Sequence, residues 1–439
     1  MNTGNRYVLL GLARPRAQWF KSVSHWTTSA AVPAEFLKCV SVEELKARMA
    51  GGRIFSAVLL DGTLPVVDRD LLQSARDAGC VVLIIDDGRR SREWIELGAT
   101  AILSPDLGRE ELLDALVTHA EMVGGATPVF APSSDQDIDL TKALVPSSVV
   151  GVCGPGGTGA SILAGSLAQG LGQESAQQGK IALVDLALHS EQAMLHDVRD
   201  VVPGIQELVD AHRIGTPSDR EVRALTFEVA ERNYQLLLGL RQARYWPSIR
   251  PHAFAAAFES LRRTFEVIVC DISSDFEGAN STGSADLEER NFMARHVSRN
   301  ADVVFVVGHP GVKGLHSLMR VITELIANDV EPTRIVPVIN QAPRQQRQRA
   351  QISRGIAELT ASVIGKAQIT PPLFIPHRNV EQAIRDVVRL PTPLPSTMAG
   401  AYNAVLKKVG HQGITPTLDL QLVTPGSLGT WSDDDLEAV

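Results

Sequence analysis

Between Ser147 and His377 the chain carries seven short apolar runs: "SSVVGVCG", "KIALVDLA", "YQLLLGL", "FEVIVCDIS", "ADVVFVVGH", "TRIVPVINQ" and "PLFIPH". Runs that are apolar without polar alternation describe strands buried on both faces. A mostly parallel sheet covered by helices on each side provides that environment. The intervening stretches have helical spacing of apolar and charged residues: "ASILAGSLAQGLGQESAQQG", "GIQELVDAHR", "HAFAAAFESLRRTF", "GLHSLMRVITELIAND" and "SRGIAELTASVIG". This is the pattern of a doubly wound α/β sheet, in which ligands sit at the carboxyl ends of the strands.

The same rhythm appears on a smaller scale ahead of it. "RYVLLGL", "SAVLLDG", "CVVLIIDD" and "TAILSPD" read as strands, with helices over "SVEELKARMA", "DRDLLQSARDAG", "SREWIELGA" and "GREELLDALVTHAEMV". The Pro-, Gly-, Ser- and Asp-rich stretch "GGATPVFAPSSDQDIDLTKALVPSS" interrupts the rhythm and reads as a linker. We therefore expect domains over 1–123 and 148–408, a linker over 124–147, and a polar, acidic, flexible tail over 409–439. With 439 residues, 44% of them hydrophobic, the chain is long enough to bury two such cores.

A formal net charge of -8 gives no global attraction to nucleic acid or anionic lipid, so contact with either needs a local patch. Cys39, Cys80, Cys153 and Cys270 are widely spaced in apolar runs, without a C-x-x-C pair. They suit a reduced, cytoplasmic protein. The N-terminal apolar stretch is interrupted by Arg14, Pro15 and Arg16, and no run is long enough to span a bilayer.

The first apolar run of the larger domain leads into "GVCGPGGTGASIL", laid out like a G-x-x-x-x-G-K-S/T phosphate loop. Gly154, Gly156, Gly157 and Gly159 give the turn the freedom to point backbone N–H groups at an anion, and the helix that follows adds its dipole. Ser161 stands where a hydroxyl would ligate Mg²⁺. Asp271 closes "FEVIVCD" and Asp185 closes "KIALVD", two strand ends at which a carboxylate could hold the metal.

The segments "GPGGTGASI", "IALVDLALHS", "FEVIVCDISS", "VVFVVGHPGVKGLHSL", "IVPVINQ" and "LFIPHRNVEQAIRDVVRLPTPL" follow one another in the order and spacing of the MinD/ParA group of deviant Walker ATPases. The chain resembles that group. Its smaller α/β domain placed in front resembles CpaE/TadZ, the pilus-assembly localisation proteins, and their actinobacterial septum-site-determining relatives. The resemblance spans residues 1–408 and implies a receiver-like (flavodoxin-like) domain followed by a doubly wound, mostly parallel P-loop domain.

Carried onto this chain, the resemblance implies an ATP site. Gly154, Gly156, Gly157, Thr158, Gly159, Ala160, Ser161 and Ile162 would line the phosphates, and Ser161, Asp185 and Asp271 would hold Mg²⁺. Asn340 would read the adenine edge, with Pro376 and His377 packed near the base. A homodimer is implied, together with a partner such as a pilus or secretion motor ATPase or another polar or septal protein.

The departures are chemical. The group's loop reads K-G-G-x-G-K-S/T, its first lysine reaching the partner's nucleotide and its second the β- and γ-phosphates. Here Pro155 and Ala160 stand at those places, and Ala187 replaces the second Asp of the group's D-x-D strand end. Phosphoryl transfer depends on positioning and charge stabilisation, and one cation supplied in trans is worth about 10³ to 10⁵ in rate. We expect weak or absent hydrolysis and assign no catalytic residue. Weak Mg-ATP binding is expected to persist on the backbone donors and Ser161. The alternative is an active switch in septum-site selection or in DNA or cargo positioning, borrowing Lys313, Arg378 or a partner's residue.

Asp61 of "SAVLLDGTLP" occupies the phosphoacceptor position of a receiver, yet the first strand has no acidic pair and Ser104 stands where the lysine belongs. Phosphorylation is not expected; docking or targeting is. The tail lacks a basic amphipathic helix, so recruitment to a membrane, pole or septum would go through a partner rather than by direct insertion. Arg344, Arg347, Arg349 and Arg354 form the one basic cluster, read as a solvated helix start, and we expect no DNA binding.

Overall fold

The structure, a computed structural model, describes residues 6–89, 92–123, 147–173, 179–364 and 369–409. The expected linker and acidic tail lie outside the described residues, apart from Ser147 and Val409 at their edges.

Two parallel sheets organise the molecule. The first contains β1 (Tyr7–Leu12), β2 (Ala34–Cys39), β3 (Ala57–Asp61), β4 (Val81–Ile85) and β5 (Ala101–Leu103), in the order β2-β1-β3-β4-β5. That 2-1-3-4-5 order is one of the two common doubly wound arrangements. β1 and β3 are buried along their whole length, and helices close both faces over two apolar clusters.

The second sheet contains β6 (Ser148–Cys153), β7 (Ile181–Leu186), β8 (Phe227–Val229), β9 (Tyr234–Leu237), β10 (Val267–Ile272), β11 (Val303–Gly308), β12 (Ile335–Ala342) and β13 (Leu373–Pro376). Its order is β13-β12-β11-β6-β10-β7-β9-β8, parallel throughout except for β8 against β9. Each of the seven apolar runs falls on one of these strands, β12 extending one residue past its run to Ala342. β6, β7, β10 and β11 are the buried centre, as continuous Val, Ile and Leu runs require.

The elements absent from the sequence reading are edges and covers. β2, "AEFLKC", is half-buried along most of its length, and β8 has only three residues, so neither forms an apolar run. The helix Gln18–Thr28 buries Trp19, Phe20 and Val23 on one face. The helix Leu394–Val409 buries Leu394, Met398, Tyr402 and Leu406 against Leu163, Leu167 and Leu171 of the helix Ala160–Gly172. Gly170 permits this approach, because a Cβ there would run into the Pro395 carbonyl.

The two sheets are joined by a polar seam. Arg69, at the start of the helix Arg69–Asp77, donates from Nε to the His212 carbonyl (2.8 Å) and from Nη2 to the Gly215 carbonyl (3.1 Å). Arg213 Nε donates to Asp68 Oδ2 (3.0 Å). Asp70 accepts the backbone N–H groups of His252 (2.9 Å) and Ala253 (3.3 Å), at the start of the helix Pro251–Thr264. Asp68, Arg69 and Asp70 are all buried.

Candidate functional site

β6 is the switch point of the larger sheet. From its carboxyl end the chain passes to β7 on one side, with β10 inserted between, and later to β11 on the other. A crevice opens where strand order reverses, and the Gly-rich turn sits in it. Gly157 (φ +78°) and Gly159 (φ +83°) adopt the left-handed conformation that favours glycine. Gly154 is required for another reason: a Cβ there would stand 2.5 Å from the Val307 carbonyl of β11. Thr158, almost fully buried, closes the turn by donating its hydroxyl to the Pro155 carbonyl (2.8 Å). The helix Ala160–Gly172 starts at once, leaving its first N–H groups facing the crevice.

Of the residues assigned to phosphates and base, several line one cleft of 370 Å³: Gly157, Gly159, Ile162, Asn340, Pro376 and His377. Asn340 also braces the loop, its Nδ2 donating to the Thr158 carbonyl (2.8 Å) while its Oδ1 accepts the Gln341 N–H (2.9 Å). Arg378 is the one lysine or arginine in the cleft lining; it is exposed and makes no ion pair among the described residues. Lys313 is exposed in the first turn of the helix Val312–Ala327 and does not line the cleft. Pro155 and Ala160 are partly exposed in the loop, and neither can offer a charge.

Deeper in the crevice, Asp185 and Asp271 are register partners on adjacent strands β7 and β10. Both are buried. Asp185 Oδ1 accepts the Ala187 N–H (3.2 Å) and Oδ2 the Gln192 N–H (3.0 Å). Asp271 Oδ2 accepts the Gln192 side-chain amide (2.7 Å), and the Ser161 side chain lies close enough to favour the charged carboxylate. Burial, reinforced by the neighbouring Asp271, pushes Asp185 up to about 8. Burial pushes Asp271 up to about 6, with Gln192 and Ser161 opposing.

Two carboxylates held side by side in a dry interior repel, and a divalent cation is the group that would relieve them. With the Ser161 hydroxyl they form a set of hard oxygen donors, so the residues present fit Mg²⁺. When bound, that ion would supply charge neutralisation for an adjoining phosphate.

Gln192 is the site residue that the sequence reading missed. It opens the short helix Gln192–Leu195 and is fully buried. No motif marks it: a glutamine seven positions beyond a strand-end Asp becomes informative only once the fold has turned it back. His196 supports it from behind, its Nδ1 2.7 Å from the Gln192 carbonyl and its Nε2 2.6 Å from the Tyr234 hydroxyl. A carbonyl only accepts, so Nδ1 carries the hydrogen and Nε2 accepts from Tyr234. Burial lowers His196 to about 4 and keeps it neutral.

In the smaller sheet, Asp61 ends β3 but is buried, with Oδ1 accepting from Thr63 N (3.0 Å) and Thr63 Oγ1 (2.6 Å). Its carboxylate is engaged in a local turn. Ser104 Oγ accepts the Asp106 N–H (3.2 Å). Of the basic cluster, Arg344, Arg347 and Arg354 are exposed, whereas Arg349 is turned inward, donating to the Pro343 carbonyl (2.7 Å) and lying over the Phe374 ring. No helix among the described residues is long and apolar enough to cross a membrane.

The strand order and the loop define the class: an α/β protein of two parallel sheets, with a phosphate-loop turn at the switch point of the larger. No protein-family model matches the sequence, and no curated protein matches it. Among solved structures, the chain is similar to the ParA family ATPase from Chlorobium tepidum TLS, at 17% identity and a TM-score of 0.42 over 60% of this chain and 93% of that one. It is similar to the cell division ATPase MinD of Pyrococcus furiosus, at 18% identity and a TM-score of 0.42 over 60% and 98%. The MinD cell division protein of Aquifex aeolicus gives 15% identity and a TM-score of 0.38 over 61% and 99%. With TM-scores below 0.5, these likenesses carry no weight beyond themselves.

Proposed function

We propose that the chain is a nucleotide-binding localisation scaffold of the MinD/ParA kind, in a CpaE/TadZ-like arrangement, with little or no ATP hydrolysis. A receiver-like first domain docks through Asp68, Arg69 and Asp70 onto a P-loop domain that forms a homodimer. The assembly positions a pilus or secretion apparatus at a pole or septum by recruiting its motor ATPase or another resident protein.

One observation carries this reading: a phosphate cradle whose backbone geometry is intact and whose lysines are absent. Gly157 and Gly159 keep the turn, Ser161 follows at the helix start, and Pro155 and Ala160 leave no lysine in the cleft. ATP and Mg²⁺ are the ligands such a cradle fits, bound weakly because no ammonium offsets the repulsion between phosphates. Sedimentation with and without Mg-ATP tests the scaffold: dimers in both conditions support it. Dimers that need ATP, together with turnover abolished by Asp271→Ala, would replace it with the switch.

The second reading, an active switch in septum-site selection or in DNA or cargo positioning, is favoured by Arg378, which lines the same cleft as Gly157 and Gly159. ATP turnover lost in Arg378→Ala would favour it.

A further inference from the structure

Gln192 uses almost all its polar groups at the meeting point of loop, β7 and β10. Its backbone N–H goes to Asp185, its carbonyl accepts from His196, and its side-chain nitrogen donates to Asp271 Oδ2 at 2.7 Å and to the Ser161 carbonyl at 3.0 Å. Both amide hydrogens are therefore spent, one on a carboxylate. The amide oxygen Oε1 is buried without a partner among the described residues. Gln192 also borders a cavity of 10 Å³ lined in part by Ser161, His196 and Arg232, with room for one water at most.

A buried carboxylate needs donors or a cation. Here one residue supplies a donor to the same Asp271 oxygens that a metal would use, while its own backbone is pinned on both sides. The side chain is the part that can exchange partners without moving the backbone, and the unpartnered Oε1 means that it sits in this position only partly satisfied.

We propose that Gln192 is a positioning residue that stands in for the divalent cation: its amide holds Asp271 against the Ser161 turn when metal is absent and surrenders that carboxylate when metal enters. Cation and amide compete for one acceptor. The proposal rests on the metal–nucleotide reading of the cleft, and it makes Gln192 the residue that sets how tightly metal is held.

The test uses the full chain and Mn²⁺ as the probe, with free Mn²⁺ read by electron paramagnetic resonance in the presence and absence of ADP. Gln192→Ala and Gln192→Asn both withdraw the amide from Asp271. Each should bind Mn²⁺ about tenfold more tightly than the parent, the equivalent of one charge-assisted hydrogen bond no longer opposing the metal. In the parent, the Gln192 side-chain ¹⁵N resonances, assigned by their loss in Gln192→Asn, should shift when Mg²⁺ is added. That second measurement reads the parent chain itself, and no shift there overturns the proposal.

Mn²⁺ affinity unchanged or weakened in both variants, or no Mn²⁺ binding by any form with or without ADP, overturns the proposal. A Mn²⁺ site that tightens in the variants but ignores ADP upholds the exchange and removes the nucleotide reading of the cleft.

Discussion

The carboxylate of Asp70, in the smaller unit, accepts the backbone N–H of His252 at 2.9 Å, so a residue of one sheet's helix caps a helix of the other. Pro251 opens that helix with an acceptor-free first turn, and Asp70 fills the place that a residue of its own segment would normally take.

Asp70→Ala is expected to lower stability by about 0.5 to 2 kcal/mol, the range for loss of a helix cap. The seam should loosen with it. Differential scanning calorimetry should show the single transition of the parent broadening or splitting, and Arg69→Ala should give the same outcome more strongly.

The carboxylate pair makes stability fall with rising pH. Asp185 is raised from an ordinary value near 3.8 to about 8, so between those limits the folded state holds a proton that the unfolded state has released. Unfolding then becomes easier as pH rises, the contribution being complete below 3.8 and gone above 8. Melting temperatures of Asp185→Asn between pH 5 and 8.5 should show a flatter profile than those of the parent.

Restoring charge to the loop should restore affinity. Ala160→Lys places an ammonium at the start of the helix, partly exposed, and is expected to tighten binding of a fluorescent ATP analogue about tenfold, the value of a charge-assisted hydrogen bond. Arg378→Ala should act in the opposite direction, and isothermal titration can separate the two.

Gly159→Ala tests the turn itself. The added Cβ would lie 2.7 Å from Asn340 Nδ2 and would hold an L-residue at φ +83°. A loss of about 1 to 3 kcal/mol is expected from backbone strain alone. Gly156→Ala, where nothing lies within 4 Å, serves as the control and should melt near the parent temperature.

His196 works against the carboxylates at acid pH, offsetting part of the stability that they gain as pH falls. Its folded value near 4 lies below the ordinary 6.5, so the unfolded chain gains a proton first, and its contribution to stability is lost as pH falls from 6.5 towards 4. His196→Gln should reduce this acid sensitivity in a pH-dependent unfolding series.

The strands and the loop were legible because their signals are local. "FEVIVCD" and "SSVVGVCG" are apolar without interruption, which is what burial on both faces demands, and the glycine-rich turn supplies the left-handed backbone found at Gly157 and Gly159. β2 and β8 were not legible, since edge strands need no apolar run. The helix Leu394–Val409 went unread because its apolar face has meaning only against the helix Ala160–Gly172.

From the sequence alone came the two α/β rhythms, the Gly-rich cradle, the strand-end carboxylates of Asp185 and Asp271, and the absence of lysine at Pro155 and Ala160. Each is a matter of residue type at a spacing, and chain neighbours suffice to state it. Tertiary structure alone decided that Asp185 and Asp271 lie side by side, that Gln192 returns to hold them, that Arg378 reaches the cleft, and that Asp70 caps a helix of the other unit. Those relations join residues far apart in the chain or on different elements, and their energies depend on burial and distance, which exist only after the sheets have formed.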